Sequence, residues 1–510
     1  MEQLRLAELL VGLSLVADVG MGLEPGESAR ACLIAARLAD ELGVDEPCDV
    51  YYTTLLQHAG CTGYAHEAAA FYGGDEIAAK AAAVRTNFSR PSEVVGTYLM
   101  GLAPDASVFT RLRVAAVAAG RAGHITRGFT RANCEVAALT ARRVGLGPGV
   151  ERGLREIFES WNGKGAPLGL RGEQIALPAR IAQVAGQAAL FDRMGASISA
   201  VSERAGVSLD PSVADAFARC GPELLAELEA ADVVEAAVAA EPAPVVSVSE
   251  HGLDAVCRAF GDAVDLKSPF HHGHSAGVAS LAEGAARSLN LSDEDTASLR
   301  RAALLHDIGR AAVPNGVWER PGPLTSGDWE RVRLHAYHSE RIVSRCGPLA
   351  SVAPLAGMHH ERLDGSGYHR GSAASAIPLA ARVLAAADAF QAMTQERAHR
   401  PAHSPDAAAR ELAAQGRAGV LDPDAVSAVL SAAGQAAAAS RAPRPADLTE
   451  RQVEVLRLVA RGLSNPEIAR SLVISRRTAE RHVQDIYSKI GVSSRAGAAL
   501  FAMEHDLLVG

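Results

Sequence analysis

The segments LLHDIGR (residues 304–310), MHHERLDGSGYHRG (residues 358–371) and VLAAADAF (residues 383–390) place histidines and aspartates inside apolar, helix-patterned sequence. FHHGHS and LHAYH, in the same region, each contribute one more histidine. A lone buried histidine is usually a hydrogen-bonded core residue, but His-Asp and His-His doublets in apolar helices are costly to bury without a compensating ion. The pattern therefore predicts a metal site. Its ligands are His274, His306, Asp307, His335, His359, His360 and Asp388.

The ligand types restrict the choice of metal. Imidazole and carboxylate together suit Mn, Fe, Ni or Zn better than Ca or Mg. A carboxylate can bridge two ions, and two ions roughly 3.5–4 Å apart are a standard arrangement for hydrolysing phosphate esters. We therefore expect two divalent transition-metal ions bridged by Asp307, with Fe or Mn ahead of Zn or Ni.

These motifs resemble the HD-GYP family, the cyclic di-GMP branch of the HD metal-dependent phosphohydrolases, over about residues 266–400. The resemblance implies the same seven ligands and two metal ions, with Asp307 and Arg310 in catalysis. Two positions depart from the family pattern, because Arg310 stands where the family has Lys and His369 stands where its GYP triplet has Pro. Arginine is a planar fork and lysine a point charge, so the rate or the specificity can differ.

The resemblance also implies a substrate site around the loop that follows the paired histidines. Gly365 and Gly367 allow the backbone to approach a ligand closely, and Tyr368 offers a ring for stacking on guanine. An ordinary glycine-rich turn is the alternative. The predicted substrate-binding residues are Arg310, Asp364, Gly365, Gly367 and Tyr368.

Composition sets the class of protein. The chain has 510 residues, 48% of them apolar and only 4% aromatic, which is enough for roughly three domains. Its long runs have helical period, so we expect an all-α fold. The resemblance, with the repeat and the C-terminal helices described below, implies two HD-fold domains in tandem and a small four-helix domain. No apolar run of about 18 residues is free of charge, which predicts neither a signal peptide nor a membrane span. Seven scattered cysteines without a C-x-x-C pair indicate reduced thiols and a cytoplasmic location.

Two proline-rich stretches divide the chain. They are AAEPAPVVSVSE, about residues 239–250, and AAAASRAPRPADL, about residues 436–448, and both read as linkers. The predicted domains are residues 1–240, 250–435 and 446–510.

The first domain looks like a degenerate copy of the second. Residues 157–186 align without a gap on residues 359–388, so that Gly165 meets Gly367. The ligand positions are lost: Ile157 and Phe158 replace the paired histidines, Gly186 replaces Asp388, Glu27 replaces His274, and LLQHAG places His58 opposite His306. A copy with one imidazole is expected to be metal-free. It is either a packing partner or a ligand sensor.

The C-terminal stretch reads as four short helices, the second with Asn465 as N-cap and the third following Ser475. From Leu448 to Met503 it resembles the LuxR/GerE-type helix-turn-helix, which places one helix in a major groove. The net charge of −9 argues against a generally basic surface, so DNA contact must come from a local patch. The predicted DNA-facing residues are Arg476, Arg477, Thr478, Arg481, His482 and Lys489. A bundle that binds protein is the alternative.

Three functions remain open for the whole chain. The first is a cyclic di-GMP phosphodiesterase coupled to a DNA-binding domain for transcription regulation. The second is a transcriptional regulator whose HD domain senses a nucleotide with little or no hydrolysis, and the third is a hydrolase of another nucleotide phosphate ester. The expected partners are a cyclic dinucleotide or other nucleotide, duplex DNA and a second copy of the chain, with no membrane.

Overall fold

The computed structural model describes residues 4–87, 90–97, 108–229, 231–439 and 445–508. Helices dominate these residues, which confirms the all-α prediction. The strands β1 (Leu4–Arg5) and β2 (Ser247–Val248) pair antiparallel. Among the described helices, none combines the length and the apolar character that a membrane crossing requires.

The chain forms two compact units. One comprises Met1–Val256 with Arg345–Pro348, and the other comprises Cys257–Ser344 with Leu349–Gly510. The helices of the first unit are α1 (Leu6–Gly20), α2 (Glu27–Glu41), α3 (Pro47–Leu55), α4 (Ala65–Phe71), α5 (Glu76–Arg85), α6 (Pro91–Gly96), α7 (Val108–Arg143), α8 (Pro148–Glu156), α9 (Leu177–Asp192), α10 (Ser197–Arg204), α11 (Pro211–Glu229) and α12 (Val233–Ala239). Apolar side chains of α2, α9 and α11, among them Leu38, Val184 and Phe217, form its core.

Most of the second copy lies in the second unit. Its helices are α13 (Glu250–Asp265), α14 (His274–Ser288), α15 (Asp293–Leu305), α16 (Asn315–Trp318), α17 (Ser326–Val343), α18 (Ala353–Gly357), α19 (Leu379–Thr394), α20 (Pro405–Arg417) and α21 (Pro423–Ala439). Helix α14 packs against α15, α19 and α21. It begins after Gly273, whose φ of 73° is in the left-handed region that glycine tolerates.

Equivalent hydrogen bonds and ion pairs stabilise each of the two copies. At the start of α14 the Asp265 carboxylate accepts hydrogen bonds from the backbone and the hydroxyl of Ser275, at 2.8 and 3.0 Å. In the first copy Asp18 does the same for Ser28 at the start of α2. Further along, Arg180 pairs with Asp210 at 2.7 Å, and Arg382 pairs with Asp422 at 3.0 Å. The internal repeat is therefore also a repeat of structure.

The C-terminal domain contains the four predicted helices, α22 (Glu450–Ala460), α23 (Asn465–Ser471), α24 (Arg476–Ile490) and α25 (Arg495–Glu504). One cap differs from the prediction: α23 is capped by Ser464, which has extended backbone angles, and Asn465 is already helical. The Asn465 side chain instead accepts a hydrogen bond from Arg495 at 2.7 Å.

The two predicted linkers are partly structured. The first contains β2, and the second overlaps the end of α21 and a 3₁₀ turn at Pro445–Asp447. Residues 440–444 of the second predicted linker lie outside the described residues.

Candidate metal centre

Helices α14, α15, α17 and α19 and the turn that follows α18 bring all seven predicted ligands together. His274 is the first residue of α14, and His306 and Asp307 follow the last turn of α15. His335 lies on α17 and Asp388 on α19. The donors form two groups, one of His274, His306, Asp307 and Asp388 and the other of His335, His359 and His360.

Asp307 lies between the two groups. Its Oδ2 is 2.9 Å from the Nε2 of His306 and 3.4 Å from that of His274. Its Oδ1 is 3.3 Å from the Nε2 of His335 and 3.6 Å from that of His359. One carboxylate oxygen thus faces each group, which is the arrangement that a bridging ligand requires.

Asp388 joins the two groups on another side. Its Oδ1 is 3.1 Å from the Nε2 of His274, and its Oδ2 is 3.7 Å from the Nδ1 of His360. Both carboxylates are buried, with Asp307 1% and Asp388 3% exposed. Burying two carboxylates this deeply demands compensating positive charge.

The outer nitrogens of three histidines are held by carbonyl groups of their own helices. The Nδ1 of His306 lies 2.7 Å from the carbonyl oxygen of Ala303, and that of His359 lies 2.7 Å from the carbonyl oxygen of Ala356. The Nδ1 of His335 contacts the carbonyl oxygen three residues before it in the same way. Such bonds keep the proton on Nδ1 and leave the Nε2 lone pair free to face a metal.

The donor atoms fit a pair of cations. His306 Nε2 and both Asp307 oxygens are buried and make no hydrogen bond, because their close approaches lack hydrogen-bonding angles. Burial lowers the pKa of His359 and His360 well below the usual value. These imidazoles are therefore neutral, as metal ligands must be.

Positive charge around the carboxylates controls the remaining ionisations. Burial alone would raise the pKa of Asp307, but the Arg310 guanidinium and His306 hold it well below its usual range. Burial would likewise lower the pKa of His306, but Asp307 and Asp388 together raise it to about 10. Without metal, a protonated His306 thus compensates the buried carboxylates, so metal binding must displace its proton.

Arg310 lies directly against the centre. Its Nη2 is 2.6 Å from the Oδ2 of Asp307, and its guanidinium lies over the Trp318 ring, 5.2 Å from the centroid. Its Nε and Nη1 are buried and have no hydrogen-bond partner. The N–H groups of these two nitrogens of the predicted substrate residue therefore remain available to a phosphate.

The loop predicted to hold substrate lies beside the second ligand group. The Tyr368 ring is 4.6 Å from the His360 ring. Gly365 has a φ of 77°, and a Cβ on Gly367 would lie 2.5 Å from the carbonyl oxygen of His360, so both positions require glycine. Asp364 is exposed and accepts hydrogen bonds from the backbone and hydroxyl of Ser366. Asp364 therefore shapes the turn, and Tyr368 is the residue of this loop nearest to the centre.

His369, in place of the family proline, contacts helix α17. Its Nε2 lies 3.4 Å from the Oε2 of Glu340, and its neighbour Arg370 pairs with the same carboxylate. The carboxylate of Glu361 also holds the loop, accepting from the backbone N–H groups of Arg370 and Ser372 at 2.8 and 2.7 Å. Neither glutamate was predicted from the sequence.

Two further residues missed by the sequence analysis face the centre from beyond α19. The Oε1 of Gln395 lies 2.8 Å from the Nδ1 of His274 and orients that ligand. Arg397 donates to the carbonyl oxygen of Phe270 at 2.8 Å. Burial and the nearby Arg310 lower the pKa of Arg397 to about 9. The available signal was an arginine shortly after the last ligand, in MTQERAHR.

One tightly packed glycine in each copy shows how the two copies align in sequence. A Cβ on Gly309 would lie 2.1 Å from the carbonyl oxygen of His335. A Cβ on Gly60 would lie 2.0 Å from the carbonyl oxygen of Asn133. Gly60 thus corresponds to Gly309, and Asn133 corresponds to His335.

This register corrects one prediction. It places Gln57 opposite His306 and His58 opposite Asp307, so the expectation that His58 stands opposite His306 is wrong by one residue. The register agrees with Gly186, whose added Cβ would lie 2.9 Å from the Oε1 of Gln57. A shared imidazole is a weaker guide than a shared glycine, because the packing admits no Cβ at the glycine position.

The predicted DNA-facing residues lie along α24. Arg476, Arg477 and Arg481 are exposed, and Thr478 and His482 are partly so. Arg476 pairs with Glu480 at 2.8 Å, and the Thr478 hydroxyl lies 2.8 Å from that of the N-cap Ser475.

Lys489, at the last turn of α24, is engaged within the domain. Its Nζ donates to the carbonyl oxygen of Asp447 and to the Oε1 of Gln452, both at 2.9 Å.

Comparison with known families agrees with the fold and the site. The HD domain family matches residues 258–425, and the family of bacterial regulatory proteins of the luxR type matches residues 446–502. Fold and site together define a metal-dependent phosphodiesterase of the HD class with a C-terminal helix-turn-helix domain.

The relatives define the family more narrowly. The 3'3'-cGAMP-specific phosphodiesterase 3 of Vibrio cholerae is 32% identical over 405 residues, which cover 78% of this chain and 88% of that protein. The crystal structure of a cyclic GMP-AMP-specific phosphodiesterase of V. cholerae superposes with a TM-score of 0.57 at 28% identity, covering 85% of this chain and 98% of the other. The cyclic di-GMP phosphodiesterase response regulator RpfG of Xanthomonas campestris is 39% identical over 147 residues, 28% of this chain and 39% of that protein. The chain belongs to the HD-GYP-type cyclic-dinucleotide phosphodiesterases.

Proposed function

We propose that this chain hydrolyses a purine 3',3'-cyclic dinucleotide at a two-metal centre and links that activity to transcription through its DNA-binding domain. The observation that carries the proposal is the position of Asp307, with one oxygen toward each ligand group. The domains that we assign to these tasks are residues 250–435 for hydrolysis and 446–510 for DNA, with residues 1–240 as a degenerate copy.

The substrate proposal combines the sequence with the relatives. The motifs favour cyclic di-GMP, whereas the relative that matches 88% of its own length is named for 3'3'-cGAMP. Relatives named for cyclic di-GMP match a smaller part of this chain. We therefore propose 3'3'-cGAMP as the substrate and cyclic di-GMP as the second candidate.

Each residue has a distinct proposed role. The metal ligands are His274, His306, Asp307, His335, His359, His360 and Asp388, with Asp307 as the bridge. Two divalent ions held there, of which we propose Fe or Mn, would supply a hydroxide nucleophile at neutral pH and positive charge for the phosphoryl oxygens. Arg310 neutralises a phosphate oxygen through its free Nε and Nη1, and Tyr368 stacks on a base. Asp364, Gly365 and Gly367 shape the loop that presents Tyr368.

Turnover measurements test this function. Protein loaded with Mn or Fe is expected to convert 3'3'-cGAMP to a linear dinucleotide, with cyclic di-GMP and other nucleotides in the same panel. Tyr368→Ala should weaken substrate binding. Protein that contains two ions per chain and cleaves no member of the panel would contradict the proposal. That result would favour the alternative function, a transcriptional regulator that senses a nucleotide. The fused DNA-binding domain supports this alternative.

We also propose that the C-terminal domain binds duplex DNA, as a homodimer that contacts two half-sites. The proposed surface is formed by Arg476, Arg477, Thr478, Arg481, His482 and Lys489. The three arginines are exposed, and they make no hydrogen bond to described residues outside α24 comparable to those of Lys489 with Asp447 and Gln452. Replacing Arg477 and Arg481 by Ala should weaken binding and reduce the salt dependence by about one unit of slope for each lost phosphate contact. Unchanged affinity in the double variant would indicate a protein-binding bundle instead.

A further inference from the structure

The helix-turn-helix domain packs against the segment that leads into the first metal ligand. We define this docking segment as residues 269–273. The backbone N–H of Gly273 lies 3.0 Å from the Sδ of Met503, and the Nδ1 of His272 contacts the carbonyl oxygen of Ala460. A Cβ on Gly462 would lie 2.9 Å from Pro269, so the backbones there are closely packed. Two helix ends, those of α22 and α25, thus hold one short segment.

Arg258 on α13 makes a second contact with the same domain. Its Nη2 donates to the carbonyl oxygen of Met503 at 2.8 Å and pairs with Asp506 at 3.0 Å. Its Nε binds Asp262 on α13 at 3.1 Å, which fixes the direction of the guanidinium. A charge-assisted fork that is held by its own helix is stronger than a freely moving surface pair.

The docking segment is attached to the metal centre on its other side. Arg397 donates to the carbonyl oxygen of Phe270 at 2.8 Å. Gln395 faces the Nδ1 of His274, the residue immediately after the segment, at 2.8 Å. The contacts therefore run without a gap from the C-terminal domain through residues 269–273 to His274.

Docking leaves the DNA-facing side open. Arg476, Arg477 and Arg481 of α24 remain exposed in this arrangement, whereas the contacts with the docking segment use the ends of α22 and α25. The contact therefore positions the helix-turn-helix domain without covering its recognition helix.

We propose that the docking segment is the coupling surface between the metal centre and the DNA-binding domain, so that filling the centre stabilises the docked state. This inference rests on the proposed two-metal site. A bound ion fixes His274, and the residue before it in the chain is the one that contacts Met503. Linkage requires the reverse effect as well, so docking tightens metal binding by the same factor.

Hydrogen exchange of the full chain with and without Mn(II) tests the coupling. Addition of Mn(II) should slow amide exchange in residues 456–463 and 500–508 by roughly fivefold or more. The double variant Asp506→Arg/Leu508→Glu should lose this effect, since Asp506 pairs with Arg258 and Leu508 lies against Gly273. Asp506→Ala, a milder change at an exposed position, should reduce it. Glu411→Arg, an exposed charge change on α20, is the matched control and should retain the effect of the wild type.

Metal content, measured on the same samples, distinguishes failure of the proposed metal centre from failure of the coupling. If two ions bind and the exchange of residues 456–463 and 500–508 does not change, the coupling is wrong and the metal centre stands. If Mn(II) still slows amide exchange in the double variant, the docking segment is not the coupling surface. If no ion binds, both the proposed centre and the coupling fail.

Discussion

In the first copy Asp18 holds the start of α2, and in the second copy Asp265 holds the start of α14 by the same hydrogen bonds to the following serine. The carboxylate that holds the loop is also repeated, as Glu159 in one copy and Glu361 in the other. The ligand positions are not repeated. The comparison teaches that the bonds which fix the helices are independent of the groups that bind metal, so a copy can lose its chemistry and keep its fold.

The contrast is sharpest at Asp307 and its counterpart His58. Asp307 is a buried carboxylate among imidazoles, and its pKa is held well below the usual range by Arg310 and His306. His58 is mostly buried, and burial lowers its pKa to about 4. One position is therefore charged and ready for a cation, and the other is neutral. The experiments below test this difference, beginning with the largest expected effect.

The largest effect should come from the bridging position itself. Asp307→Ala removes the group that faces both ligand sets, and we expect turnover to fall on the order of 10²–10³-fold or more. The matched change in the first copy is His58→Ala. It should leave turnover per folded molecule nearly unchanged. Steady-state kinetics with 3'3'-cGAMP compare the two. Equal losses would mean that the first copy takes part in the reaction.

Metal should stabilise one copy only. At a free ion concentration about 100 times the Kd, binding adds about 2.7 kcal/mol to the free energy of unfolding. Of the three tryptophans, Trp161 belongs to the first copy and Trp318 and Trp329 to the second. Thermal melts of Trp161→Phe, which report the second copy, should shift upward with Mn(II). Melts of Trp318→Phe/Trp329→Phe, which report the first copy, should not, and a shift there would show metal bound in the first copy.

Acid should destabilise the first copy through His58. The folded pKa of about 4 lies below the unfolded value of about 6.5, so the stability from neutral His58 is present above pH 6.5. It is lost as the pH falls toward 4, which amounts to about 2 kcal/mol at pH 5. Urea unfolding of His58→Gln, followed by Trp161 fluorescence, should lose less stability than the wild type between pH 7 and pH 5. Parallel losses would show that His58 is protonated in the folded chain.

The smallest effect is expected at the loop position where the two copies differ by a single substitution, proline against histidine. The first copy has Pro167 where the second has His369. His369→Pro removes the contact with Glu340, a partly exposed pair worth about 1 kcal/mol or less. We expect kcat/KM to fall by up to about fivefold, and Glu340→Gln to act in the same direction. A tenfold gain in the proline variant would mean that His369 restrains the enzyme.

The clustering of the seven predicted ligands was predictable because histidine and aspartate are rare in apolar helices and the spacing is local to each motif. Gln395 and Arg397 were not predicted, since the arginine in MTQERAHR does not by itself reveal that the chain turns back toward His274 after α19. The register of His58 was mistaken because a side chain was aligned where a packed glycine was the stronger constraint. Ser464 and Asn465 are both good N-caps, and the extended backbone angles of Ser464 show that it is the one used.

The short ladder between β1 and β2 brings the two ends of the first copy together. Leu4 pairs with Val248, and Arg5 binds Glu241 at 2.8 Å, so the strand that enters this copy lies beside the strand that leaves it. A module whose entrance and exit are neighbours can be followed by a second module without rerouting its own chain. A pulling force applied to the two ends would act first on this ladder and on the Arg5–Glu241 ion pair, before it reached the helices between them.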